Sequence, residues 1–194
     1  SSGRVITGLF VEGKLSISEV HRFDNGPVEK NGRLAWDFSA LMQGIHDGLK
    51  ELNQAALKMD LPVHSIGIDT WAVDYGLLKG GELLAPPNCY RDPINQVGVD
   101  LVHSIAPFEE LYLTSGLQFL PFNSLYQIAR QQQLDADLIA QADFVVMIPD
   151  LIGYFLTGEL ATERTNASST GLINAVSRDS VSYTHLTLPT NREV

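Results

Sequence analysis

Ser65-Ile66-Gly67-Ile68-Asp69-Thr70-Trp71-Ala72-Val73-Asp74-Tyr75-Gly76-Leu77-Leu78 is the stretch that decides the fold class. Ile66 and Ile68 alternate with Ser65 and Gly67 as a strand laid against a core does. The apolar run then ends in a carboxylate, a hydroxyl and an indole at Asp69, Thr70 and Trp71, a composition that α/β proteins use at strand ends to hold ligands. Residues 73–78, followed by Lys79-Gly80-Gly81-Glu82, predict a returning strand and a turn. The site implied is built on a β-scaffold.

The chain around it has 194 residues, enough for one good core or two small ones, and its 44% hydrophobic and 19% charged content is that of a folded domain. Acidic residues outnumber basic ones 23 to 13, a formal charge of −10, and the basic residues are scattered. A nucleic-acid backbone is repelled by such a surface, so a small molecule is the expected partner. No apolar run reaches the length needed to span a bilayer, and Ser1-Ser2-Gly3-Arg4-Val5 is no secretory signal. The single cysteine, Cys89, excludes an internal disulfide framework and a cysteine-based zinc cluster, and it fits a reducing, cytoplasmic setting.

Residues 5–11, Glu12-Gly13 and residues 14–23 predict a β-hairpin with a bulge near Glu19, where the apolar phase changes. Asp37 is placed to cap a helix that carries Phe38, Leu41, Met42, Ile45, Leu49, Leu52 and Ala56 at spacings of three and four and has ended by Pro62. A polar loop over residues 88–93 precedes helical stretches at 97–105 and 107–113, the second stopped by Gly116. Further helical stretches follow at 124–133 and 136–141. Residues 144–147 form a short strand, and Pro149 opens a helix that runs to Thr157-Gly158. Strands first and a later strand among helices indicate an α/β domain.

Several groups are candidates for chemistry. Asp69 and Asp74 invite a paired-metal reading, yet their separation of five is odd, so a continuous strand sends them to opposite faces; Asp69 as a strand-end anchor fits better. Trp71 alone is more often core than platform. Flanked by Asp69, Thr70 and Asp74, its ring is set to stack on the hydrocarbon face of a sugar while the polar groups take its hydroxyls. Tyr90-Arg91-Asp92-Pro93 offers a donor and acceptor pair suited to a polyol, or a self-satisfied turn. Ser1-Ser2-Gly3-Arg4 has the small residues and the cation of a phosphate cradle, a weak match by itself. Gln118-Phe119-Leu120-Pro121-Phe122-Asn123 is a second aromatic loop, more often packing than site. The five histidines are isolated and Asn166-Ala167-Ser168 is an empty glycosylation match.

Taken in order, Ser1-Ser2-Gly3-Arg4, His21-Arg22-Phe23, Gly67-Ile68-Asp69-Thr70-Trp71, Val73-Asp74, Tyr90-Arg91-Asp92, Gly116, the 118–123 run, Leu125-Tyr126-Gln127, Pro149-Asp150, Leu156-Thr157-Gly158 and Thr165-Asn166-Ala167-Ser168 resemble the FGGY carbohydrate kinase family of the hexokinase–actin superfamily over residues 1–179. The resemblance implies a ribonuclease-H-like N-terminal lobe and transfer of the γ-phosphate of ATP to the 1-hydroxyl of L-rhamnulose, with Mg2+. It assigns ATP contacts to Ser1, Ser2, Gly3 and Arg4, and a sugar contact to the position of Ala72, where the family carries glycine. Trp71, Arg91 and Asp92 are further candidates for the sugar wall. By the same resemblance, an aspartate-bearing first strand precedes Ser1, the catalytic aspartate lies in a later histidine-aspartate-threonine segment, and residues 180–194 are a non-native tail. The expectation is a fragment nearly inactive alone. A non-catalytic sugar-binding module and a kinase for another ketose are the alternatives, with a metal-dependent nuclease a distant third.

Overall fold

The computed structural model describes residues 1–181, which divide into two compact units: residues 1–28 with 36–68, and residues 29–35 with residue 69 onward. Ser2–Val11 (β1) and Lys14–Asp24 (β2) form an antiparallel hairpin whose turn residues Glu12 and Gly13 take φ of 50° and 78°, as a tight hairpin turn demands. The register passes from Val5↔His21 to Ile6↔Glu19 and skips Val20, so the predicted bulge is present one residue from Glu19. A short hairpin of Pro27–Lys30 (β3) and Arg33–Trp36 (β4) follows, which the residue pattern does not reveal.

Phe38–Lys58 (α1) begins as predicted, with Asp37 Oδ1 accepting the Ala40 N–H at 2.9 Å. Its buried face differs in detail from the predicted one. Gly44 and Gly48 lie deepest beside Phe38, Leu41 and Met42, while Ile45 and Leu49 are only half-buried. A Cβ at Gly44 would stand 2.4 Å from the Phe23 ring, and one at Gly48 2.4 Å from Val5 Cγ2. The helix therefore approaches the hairpin through its glycines, which no count of apolar residues reveals.

In the second unit Tyr75–Lys79 (β5) turns at Gly80-Gly81 into Glu82–Leu83 (β6). Four helices come next: Asn95–Ile105 (α2), Phe108–Ser115 (α3), Ser124–Leu134 (α4) and Ala136–Ala140 (α5). Phe144–Met147 (β7) pairs antiparallel with β5, giving the order β6-β5-β7. Ile148–Thr157 (α6) and Arg164–Ser168 (α7) complete the described chain. The left-handed glycines predicted as helix stops are found, Gly116 at φ 72° and Gly158 at φ 78°. Tyr75, Leu77, Ile128, Ile139 and Met147 make one core cluster, and residues of α2, α3 and α4, including Val102, Leu111 and Ala129, make another.

The expected strand at residues 65–68 is not found. Residues 61–74 hold no strand, and Ile66 and Ile68 are 59% and 38% exposed. A strand exists through its ladder, and among the described residues nothing pairs with this segment, so its alternation has no core to face. β5 accordingly returns along β6 and β7, not along residues 65–68. The Trp71 cluster sits at the entry to β5. Of the segment expected to be a tail, residues 182–194 lie outside the described residues; Ser180 bridges Ile173, and the Val181 N–H donates to the Leu172 carbonyl at 2.8 Å.

Helices α2 and α4 cross at Gly98, where an added Cβ would lie 1.9 Å from the Tyr126 carbonyl oxygen. Backbone cannot yield as a side chain can. Gly98→Ala is expected to lower unfolding stability by about 1–3 kcal/mol despite alanine's better helix propensity, as read by urea denaturation.

Candidate functional site

Asp74 is fully buried at the start of β5, and three elements converge on its carboxylate. Oδ2 accepts from Trp71 Nε1 at 2.9 Å and from the Tyr90 backbone N–H at 3.2 Å; Oδ1 accepts from Gln127 Nε2 of α4 at 2.9 Å. One oxygen thereby fixes both the indole of Trp71 and the start of the 90–93 loop. A buried carboxylate is tolerated only with such donors, and here two of them, the Trp71 indole and the Tyr90 amide, belong to the segments that carry the candidate sugar wall.

The loop is closed by its own contacts. Arg91 folds back so that Nε donates to the Tyr90 hydroxyl at 2.9 Å, with its guanidinium carbon 5.2 Å from the Tyr90 ring centroid. The Tyr90 ring meets Phe122 at 5.5 Å between centroids, so the 118–123 loop joins the same cluster. Asp92 is buried and engaged: Oδ2 accepts from Arg33 Nε and the Leu34 N–H, both at 3.1 Å, and Oδ1 accepts from the Ile94 N–H at 3.1 Å. Its carboxylate ties the loop to β4. Trp71 is half-buried, while Ala72 and Arg91 are exposed.

Of the residues singled out in the sequence, Trp71, Ala72, Arg91 and Asp92 belong to this unit, and Asp74 gathers Trp71 with the loop that bears the last two. Asp69 is exposed and Asp74 enclosed, and the latter is spent on holding protein groups. Gln127 and Ser124 also hold this cluster, through Val73 and Asp74; sequence reasoning gave Gln127 only a place in the resemblance and did not single out Ser124. Their signal was faint, because α4 is buried all round over residues 124–131 and encloses Arg130 and Gln131 as well, so no polar face sets these two apart. Burial also raises the Tyr75 phenol and lowers the basicity of enclosed Arg130.

Ser1, Ser2, Gly3 and Arg4 lie in the first unit, on or beside β1. Arg4 stands opposite Arg22 in the ladder, and like charges so placed repel. Glu19 relieves this: it pairs with Arg22 through Nε at 2.9 Å and Nη2 at 2.6 Å, and with Arg4 Nε at 3.8 Å. Arg22 Nη1 also donates to Ser2 Oγ at 3.3 Å. Two guanidinium groups and a hydroxyl thus share one exposed face, an arrangement that fits the anionic oxygens of a nucleotide. Among the described residues no group of three or more His, Cys, Asp or Glu is placed to hold a metal ion, and no helix is long and apolar enough to cross a membrane.

A model of the N-terminal domain of the FGGY family of carbohydrate kinases matches residues 9–183. The chain is 41% identical over 175 residues to a rhamnulokinase of Lactiplantibacillus plantarum, covering 90% of this chain and 34% of that protein. To the rhamnulokinase of Bacillus subtilis it is 39% identical, covering 90% and 35%. It spans about a third of the length of these curated relatives. A xylulose kinase from Rhodospirillum rubrum matches with a TM-score of 0.78 over 92% of this chain and 40% of that one at 16% identity. A ligand-bound xylulose kinase from Lactobacillus acidophilus matches with a TM-score of 0.77 over 91% and 36% at 20% identity. These likenesses show the fold alone, a mixed α/β one.

Two outcomes follow from the geometry. Asp74→Ala strands three donors in the interior and is expected to cost about 3–5 kcal/mol, read by chemical denaturation. The Glu19 carboxyl is held below the usual glutamate range, chiefly by its hydrogen bonds from Arg22. Its pairing is complete above the ordinary pKa and lost as pH falls through the lower folded value. Side-chain NMR titration is expected to show a depressed midpoint that returns toward about 4.3 in Arg22→Gln.

Proposed function

Because the chain belongs to the FGGY family of carbohydrate kinases, we propose that the protein it spans phosphorylates L-rhamnulose, transferring the γ-phosphate of ATP to the 1-hydroxyl of the ketose. The observation that carries the sugar site is the convergence of Trp71 and the Tyr90-Arg91 loop on Asp74. The curated relatives named rhamnulokinase support the choice of ketose.

In this reading Trp71 supplies an apolar wall for the sugar ring, Arg91 a donor for its hydroxyls, and Ala72 the close backbone approach. Asp92 braces the loop through Arg33 and Leu34 and so acts on the sugar indirectly. Ser1, Ser2, Gly3 and Arg4 receive the nucleotide. Phosphoryl transfer depends on positioning and on cations that meet the developing charge, and Arg4 contributes one of these. ATP arrives with magnesium, whose ligands are not assigned to this chain, since no described cluster fits them. The 194 residues contain no histidine-aspartate-threonine segment. Binding and orientation are accordingly the roles given to these residues, with no proton transfer, and the chain alone is expected to turn over little. A cytoplasmic site of action accords with its lone, buried thiol.

Steady-state kinetics of the protein extended to the length of its relatives tests the reading. Trp71→Ala is expected to raise KM for L-rhamnulose about tenfold with KM for ATP unchanged, and Arg4→Ala to do the converse. Ala72→Gly, which removes a methyl from the place of closest approach, is expected to lower the sugar KM. A higher kcat/KM for L-xylulose or L-fuculose would overturn the ketose.

A further inference from the structure

Val73 carries a backbone conformation that valine avoids. Its φ is +69°, and it is the one β-branched residue at positive φ among the described residues. Such strain persists only where the surroundings hold it. Here they do: the Ser124 hydroxyl donates to the Val73 carbonyl at 2.6 Å, and Gln127 Nε2 donates to the same oxygen at 3.2 Å. The same amide nitrogen reaches Asp74 Oδ1 and the Phe122 carbonyl, each at 2.9 Å. All of its partners are oxygens, so the amide has one permitted orientation. Gln127 Oε1 is left buried without a hydrogen-bond partner, a loss accepted to keep the donor where it is.

We propose that the Val73 turn is a positioning device for the ketose site, and that Gln127 is its positioning residue, acting through the Val73 carbonyl and the Asp74 carboxylate. Gln127 is fully enclosed, so its influence on the site passes through the groups it holds. It holds the backbone just after Ala72 while Asp74 holds the Trp71 indole, so half-buried Trp71 and exposed Ala72 are presented on a fixed backbone. The inference rests on the reading of this cluster as a ketose site.

Two variants test it in the protein extended to the length of its relatives. Val73→Gly adopts the same φ without strain and keeps the fold, but frees the turn; Gln127→Leu removes the donor. Both are expected to raise KM for L-rhamnulose about tenfold, with KM for ATP and kcat within about twofold. In the 194-residue chain carrying Trp36→Phe, both are expected to raise acrylamide quenching of Trp71 fluorescence. Unchanged sugar KM together with unchanged quenching in Val73→Gly overturns the proposal. A wild type that turns over no ketose, while quenching still rises in the variants, overturns the substrate reading and upholds the brace.

Discussion

The hydrogen bonds to the Asp74 carboxylate constrain everything around the candidate site. A carboxylate at 0% exposure has to be satisfied by fixed donors, and the donors available are an indole, a loop amide and a helix side chain. Each comes from a different part of the sequence. Satisfying one charge therefore orders three segments, and the surface they share is the one that carries Trp71, Ala72 and Arg91. The apolar clusters of this unit supply the bulk of its stability, but they would tolerate small shifts; a charge with three partners within 3.2 Å does not.

The first unit solves a different problem by different means. Its hairpin places Arg4 across from Arg22, which on a strand pair is unfavourable unless a countercharge is at hand. Glu19 provides it, and the skipped residue Val20 sets the register in which Glu19 lies opposite Ile6, beside both arginines. On the opposite face the hairpin rests on helix glycines, so a cationic surface faces outward while a close-packed seam holds the strands from behind. Bulge, ion pair and glycine seam are separate features of sequence with one joint effect on where Arg4 stands.

Much of this was legible in advance. The Asp37 cap, the Glu12-Gly13 turn, the bulge near Glu19 and the glycine stops at 116 and 158 are local signals, and local signals survive because few tertiary alternatives compete with them. The strand expected at residues 65–68 failed for the converse reason: its alternation states what it could face, not whether a ladder partner exists, and here none does. Trp71 and the 90–93 loop were identified as candidates from composition. That they meet on Asp74 was not, because contacts 16 and 53 residues apart leave no trace in spacing. Gln127 was hidden further, since a glutamine in a helix has no periodicity to mark it.

Ala72 shows what this arrangement implies for specificity. Its neighbours on both sides are held, Trp71 through the indole and Val73 through the carbonyl, so the backbone between them has little freedom to retreat from a ligand. A methyl group on a mobile loop is accommodated by the loop; on a braced segment it has to be accommodated by the ligand. If Ala72 lines the proposed ketose site, its methyl alters the floor of that site by the width of one carbon, and the sugar would sit farther out or turn another face toward it. In the proposed reading, the rigidity that would make Trp71 a dependable wall would also turn a one-carbon difference at residue 72 into a difference in which sugar fits.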